Sequence, residues 1–175
     1  MKIMTKKINF KITIEETAER HPVPVLGTDY KVKIIYKNIK FAELDVEDKI
    51  IKISLPNKYK KANNERILDI AIDKMYEQIA KVEVERAMEK TRILLGFAPE
   101  DYEIKKLKKE LGKCEDNKIT INPEIVKYNR NIIDYIVLHQ YCHLKYKTHS
   151  KGFMKMIEKY EPKFEEYEKI VALVK

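Results

Sequence analysis

The chain has 175 residues, 44% hydrophobic and 37% charged, with a net charge of +8 at pH 7. That is enough to bury one sizeable core, and too apolar for a disordered chain. No run approaches the roughly 18 apolar residues of a membrane span, and the N-terminal MKIMTKKINFKITIEE lacks a signal-type apolar stretch, so a cytoplasmic protein is expected.

The first third reads as strands. INFKITI (8–14), YKVKIIY (30–36), IKFAELDV (39–46) and KIIKISLP (49–56) alternate apolar and polar residues. Period two with one apolar face predicts an antiparallel sheet covered on one side. HPVPVLGT (21–28), with two prolines and a glycine, reads as a loop, and His21 within it as a surface residue. From about Ala62 the period changes. Leu68, Ile72, Met75, Ile79 and Val82, then Ala87, Thr91 and Leu94, recur at helical spacing until Gly96 and Pro99 stop the helix. Its apolar face is expected on the sheet.

YEIKKLKKELGKC (102–114) is ambiguous. If KKLKK (105–109) were an alternating strand, Lys106 and Lys108 would share one face. KITIN (118–122) predicts a short strand. Asn131 is expected to cap a helix running to about Lys147, with Asp134 completing a weak capping box. Ser150 caps another helix, which Pro162 separates from a last one. The fold class is thus α+β, and one domain over 1–175 is expected.

Chemistry concentrates in IVLHQYCHLKYKTHS. Three of the four histidines, His139, His143 and His149, lie there. His139 and His143 are about one helical turn apart and leave one face. His149 follows at a distance that lets the chain leave the helix and return a third imidazole. Ile132, Ile133, Ile136 and Val137 make the helix apolar, and buried imidazoles need partners. Three convergent imidazoles with a fourth position open suit a catalytic zinc ion. A His-Glu-x-x-His site would carry its general base next to the first histidine, where this chain has Gln140. Cys142 lies about 100° round from His143 and should point into apolar packing. Cys114 and Cys142 do not form a disulfide framework. The positive charge permits attraction to nucleic acid. Opposite charges are interspersed, however, as on a solvated surface of the kind many thermophile proteins carry. Nucleic-acid binding is therefore expected to be weak and non-specific.

The order of these segments resembles the YgjP-like metallopeptidases, relatives of the SprT-like and minimal zincin peptidases. Their pattern is Trp-Gly-Ser-Cys, an Ile-x-Leu-Asn strand, Asp-Tyr-hydrophobic-His-Glu-Leu-Cys-His-Leu, and His-Ser-x-x-Phe-Trp. The chain matches at Gly112, Cys114, Ile119, Ile121, Asn122, Asp134, Tyr135, His139, Cys142, His143, Leu144, His149, Ser150 and Phe153. The resemblance is strongest over 104–165. It implies a zincin-like helix bearing the metal, Zn2+ as cofactor, His139, His143 and His149 as its ligands, residue 140 as general base, and a peptide or protein substrate. Lys113 replaces the Ser of the pattern, and Leu111, Tyr141 and Met154 depart from it as packing changes a core can absorb. Gln140 departs from it chemically, because an amide can hydrogen-bond water but cannot accept its proton. Losing a positioned base costs on the order of 10²–10⁴ in rate. Two alternatives follow, a metal-stabilised peptide-binding pseudoenzyme and a basic nucleic-acid-associated protein.

Overall fold

The computed structural model describes residues 15–16, 22–60 and 64–172. Its strands are β1 (Glu15–Glu16), β2 (Val23–Val25), β3 (Thr28–Lys37), β4 (Glu43–Glu47), β5 (Ile50–Pro56), β6 (Asp101–Ile104), β7 (Gly112–Glu115) and β8 (Lys118–Ile121). Its α-helices are α1 (Asn64–Leu95), α2 (Arg130–Lys145), α3 (Lys151–Tyr160) and α4 (Phe164–Ala172). The α+β class is as the sequence predicts. The chain divides into two compact units, one built on Tyr30–Ala71 and the other on Val23–Asp29 with Ile72–Lys175. The expected strand at 8–14 and His21 lie outside the described residues.

In the first unit the strand order is β1-β3-β5-β4. β1 runs antiparallel to β3 and β4 antiparallel to β5, but β3 and β5 are parallel. The sheet is therefore mixed rather than antiparallel. Alternation decides which face of a strand is buried, not which neighbour the strand takes. Here a two-residue turn at Asp48–Lys49, both with positive φ (48° and 61°), ties β4 to β5. Positive φ at both central residues marks a type I′ hairpin. The segment 38–42 carries the chain out to β4, which shortens the expected strand 39–46 to Glu43–Glu47. Val32, Ile34 and Tyr36 face Ile51, Ile53 and Leu55 across the parallel pair, and all six are buried.

The second unit repeats this strand pattern. β6 and β8 are parallel, β7 is antiparallel to β8, and the order is β6-β8-β7. A second turn with positive φ at Asp116 and Asn117 joins β7 to β8. KKLKK belongs to the connection from β6 to β7 and is not a strand. Buried Asn122 holds that connection in place. Its Nδ2 donates to the carbonyls of Leu107 (3.2 Å) and Glu110 (3.0 Å), and its backbone N–H donates to Leu111 (2.9 Å). These bonds draw the segment inward where a strand would run straight on.

The expected loop 21–28 contains β2, since an edge strand tolerates the missing donor of Pro24. The turn after it docks through Leu26 N–H on the Val126 carbonyl (2.7 Å) and Gly27 N–H on Lys127 (3.2 Å). Gly27 has φ +77°, and a Cβ there would lie 2.9 Å from that of Asn129. Gly96, φ +74°, closes α1 by donating to the Arg92 carbonyl, as the sequence predicts.

Along α1 the buried positions depart from the expected stripe. Leu68, Ile72, Met75, Ala87 and Thr91 are buried, but Val82 is 52% and Leu94 47% exposed. Ala80, Glu83, Val84 and Met88 take the inner positions instead. Polar Glu83 can do so because Arg130 Nη2 (2.7 Å) and Arg86 Nε (3.0 Å) donate to its carboxylate. These arginines hold its pKa below the ordinary carboxylate range, the Arg130 hydrogen bond contributing most. Arg86 Nη2 and Lys90 Nζ also donate to Asp134 of α2, at 2.7 and 2.6 Å. Asp134 therefore clamps α1 to α2 and is not part of a capping box.

Candidate metal centre

The N-cap of α2 is Asn129, not Asn131. Its extended backbone turns Oδ1 onto the Ile132 N–H at 3.1 Å. The helix then buries Ile132, Ile133, Tyr135, Ile136, Val137 and Leu138 and brings His139 and His143 to its last two turns. It ends at Lys145, slightly before the expected Lys147. Ser150 opens α3 by accepting from Phe153 N–H, and His149 lies in the connection between the helices.

Helix, loop and cap together converge three nitrogens. His139 Nε2 lies 3.2 Å from His143 Nε2 and 3.1 Å from His149 Nε2, and ligand atoms of all three fall within 4.8 Å of one another. A tetrahedral zinc bound at ~2.0–2.1 Å would space its nitrogens about 3.3 Å apart. Two of the second ring nitrogens are also engaged. His143 Nδ1 donates to the Tyr146 carbonyl at 3.0 Å, and His139 Nδ1 lies 3.4 Å from the Tyr135 hydroxyl. A proton on Nδ1 leaves a lone pair on Nε2. Neutral nitrogens this close repel unless a cation sits among them, so the donor set fits a metal ion. Burial favours neutral His143 and holds its pKa below the ordinary histidine value, against an opposite pull from the Tyr146 carbonyl.

Buried Phe153 packs against all three imidazoles, with ring centroids 5.0 Å from His139, 4.7 Å from His143 and 4.6 Å from His149. The sequence reading passed over Gly152 and Tyr146. A Cβ on Gly152 would come within 2.6 Å of Tyr146 Cε1, so the absent side chain admits the ring whose backbone orients His143. The available signal was a glycine inside the first turn of a helix, where it costs stability.

Gln140 is buried, and its side chain lies against Gly112 at the start of β7. A Cβ on Gly112 would meet Gln140 Cγ at 2.9 Å and Cδ and Nε2 at 3.0 Å. Cys142 is fully buried, and burial pushes its thiol up to about 12. It lies outside the histidine cluster, as its helical phase predicts. Both cysteines are free.

The family model for the YgjP-like metallopeptidase domain matches residues 2–172. No curated protein matches the chain. Among solved structures, the chain is similar to the metallopeptidase zymogen of Pyrococcus abyssi abylysin, at 27% identity over 50% of this chain and 90% of that one, with a TM-score of 0.46. It is also similar to the metallopeptidase zymogen of Methanocaldococcus jannaschii jannalysin, at 20% identity over 52% and 88% of the two chains and a TM-score of 0.47.

Proposed function

The chain belongs to the YgjP-like metallopeptidase domain family, and on that premise we propose that it holds one zinc ion through His139, His143 and His149 and takes peptide or protein substrate beside it. The observation that carries this reading is the convergence of three Nε2 atoms, those of His143 and His149 lying 3.2 and 3.1 Å from that of His139. An all-imidazole set with an open fourth position suits catalytic zinc. Zinc bound there would polarise a scissile carbonyl and make water more acidic.

The chain's own residues supply the rest. Tyr146 and Tyr135 orient the imidazoles. Phe153 packs beneath them and keeps that side dry. β7 pairs only with β8 among the described strands, so its other edge can accept an extended peptide next to residue 140. Gln140 can orient a water through its amide, but it cannot take up the proton or pass it to the leaving amine. Hydrolysis by the chain as it stands is therefore slow. A second reading, peptide capture without cleavage, is favoured by Gln140 itself. A nucleic-acid role has only the net charge in its support.

We take the whole of 1–175 as one functional domain, since the family match runs from 2 to 172. Two free thiols suit a cytoplasmic setting, and no helix among the described residues is long and apolar enough to cross a membrane.

Metal analysis of protein purified without tag or chelator tests the site. We expect about one zinc per chain, lost in the His139→Ala/His143→Ala double variant. Zinc retained undiminished in that variant would end the assignment.

A further inference from the structure

Residues 106–109 of the lysine-rich run, which the metal centre does not use, line a cavity of about 720 Å³ within the second unit. Lys106, Lys108, Lys109 and Lys127 face it, with Glu124 the one acid in its lining among the described residues. Lys106 is paired with Asp73 at 2.7 Å, and Lys127 with Glu124 at 2.8 Å. The glutamate's charge is thereby met inside the protein. Lys108 and Lys109 are exposed, and neither has an acid within ion-pairing distance among the described residues. Two cations thus face a cavity that offers them no counter-charge among the described residues.

The cavity also has an apolar part, supplied by Leu107, Leu111 and Val171. Leu111 is the link to the metal centre. It lines the cavity, and the next residue, Gly112, abuts Gln140 at the start of β7. Chain extended along the free edge of β7 would therefore run from the histidines toward this cavity.

We infer that the cavity is a specificity pocket for acidic side chains flanking the metal-proximal segment of a bound peptide, with Lys108 and Lys109 as the residues that recognise them. The inference rests on the peptide-binding reading above. A duplex or long single strand fits less well, because the lining is partly apolar and two of its four lysines are already neutralised. An aspartate or glutamate on a peptide needs only one or two charge partners and gains from the neighbouring leucines.

The test measures binding, so it does not depend on cleavage. Zinc-loaded protein is titrated into fluorescent decapeptides carrying Glu or, at the same places, Gln, and fluorescence anisotropy is read. The Glu peptide is expected to bind about fivefold to tenfold more tightly, the scale of one or two exposed ion pairs, and the margin to shrink with added salt. Lys108→Gln/Lys109→Gln should abolish the margin and Lys108→Glu/Lys109→Glu should reverse it, with zinc content and Gln-peptide affinity unchanged. Equal binding of the two peptides to the unaltered protein would overturn the pocket and leave the peptide reading standing. Binding of neither peptide by fully zinc-loaded protein would overturn both. If single-stranded DNA bound with steep salt dependence, lost it in the charge-reversed variant, and was not displaced by Glu peptide, the cavity would belong to nucleic acid and the inference would fail.

Discussion

The two sheets, β3–β5–β4 and β6–β8–β7, repeat one strand pattern, and the second packs against the histidine-bearing helix α2. Each has a strand parallel to β5 or β8 on one side and, on the other, an edge strand joined to it by a hairpin with two residues of positive φ. In the first, the hairpin strand β4 is exposed along most of its length and carries Glu43, Asp45 and Glu47. In the second, the hairpin strand β7 opens with Gly112 against Gln140 of the histidine-bearing helix. The strand pattern is thus a scaffold. The difference lies where the edge strand lacks a side chain and the helix behind it carries imidazoles able to hold a metal ion.

The largest effect should come from residue 140. Gln140→Glu restores a group able to accept a proton beside the histidines, and peptidase activity is expected to rise on the order of 10²–10⁴. Zinc content should stay the same. Gly112→Ala added to that variant should remove much of the gain, because the new methyl group would stand about 3 Å from where the residue 140 side chain now lies. The methyl need not touch the metal ligands, so zinc content should again hold. Peptide cleavage time courses on zinc-loaded proteins read both effects. Activity as high in the Gln140 protein as in Gln140→Glu would refute the missing-base account. A harmless Gly112→Ala would break the claimed difference between β7 and β4.

How far the sequence disclosed this depends on distance along the chain. His139 and His143 are separated by one turn, Ser150 caps its own helix, and Gly96 and Pro162 end theirs. Each is a local rule that needs no knowledge of the fold. The parallel pairing of β3 with β5 is not local, and alternation is silent about it. Glu83 in the core, the Gly112–Gln140 contact and the Gly152–Tyr146 contact all join residues that meet only after folding. Asn129 and Asn131 are equal as caps by composition. The structure gives the cap to Asn129, whose extended backbone follows Tyr128, the residue that closes the 3-10 turn Pro123–Lys127.

A middle-sized effect should come from Glu83, buried in the second unit with Arg86 and Arg130. Glu83→Gln removes the charge that both guanidinium groups meet. Breaking a buried pair costs about 3–5 kcal/mol. The arginines here keep some water, so about 2 kcal/mol is expected, or roughly 4–8 °C in Tm for a chain of this size. The pH dependence has a definite sign. A carboxylate with a lowered folded pKa contributes fully above its ordinary range near ~4.3, and the contribution is lost as pH falls through the lowered value. The gap between the two proteins should therefore close on acidification through that window. Thermal melts at stepped pH measure it. A gap that widened toward acid would contradict the assigned pairing.

The smallest effect separates the two hairpin turns. Lys49 adopts φ +61° and Asn117 φ +59°, so the backbone demand is nearly the same. The side chains meet it differently. A left-handed conformation costs most L-residues about 1–2 kcal/mol, while asparagine visits it readily. Asn117 also anchors its turn, since Nδ2 donates to Glu100 at 3.3 Å and its carbonyl accepts from Glu100 N–H at 3.0 Å. Lys49 contributes its carbonyl to Lys31 N–H, a bond that survives substitution. Lys49→Gly should relieve strain, offset in part by the greater freedom of glycine in the unfolded chain. The net gain is expected to be about 0.5–1 kcal/mol, a rise of roughly 1–4 °C in Tm. Asn117→Gly should give no gain, or a small loss from the missing side-chain bond. Melting curves of the two variants side by side decide it. If both rose equally, side-chain identity would not distinguish the turns, and the hairpins would be equivalent in energy as well as in pattern.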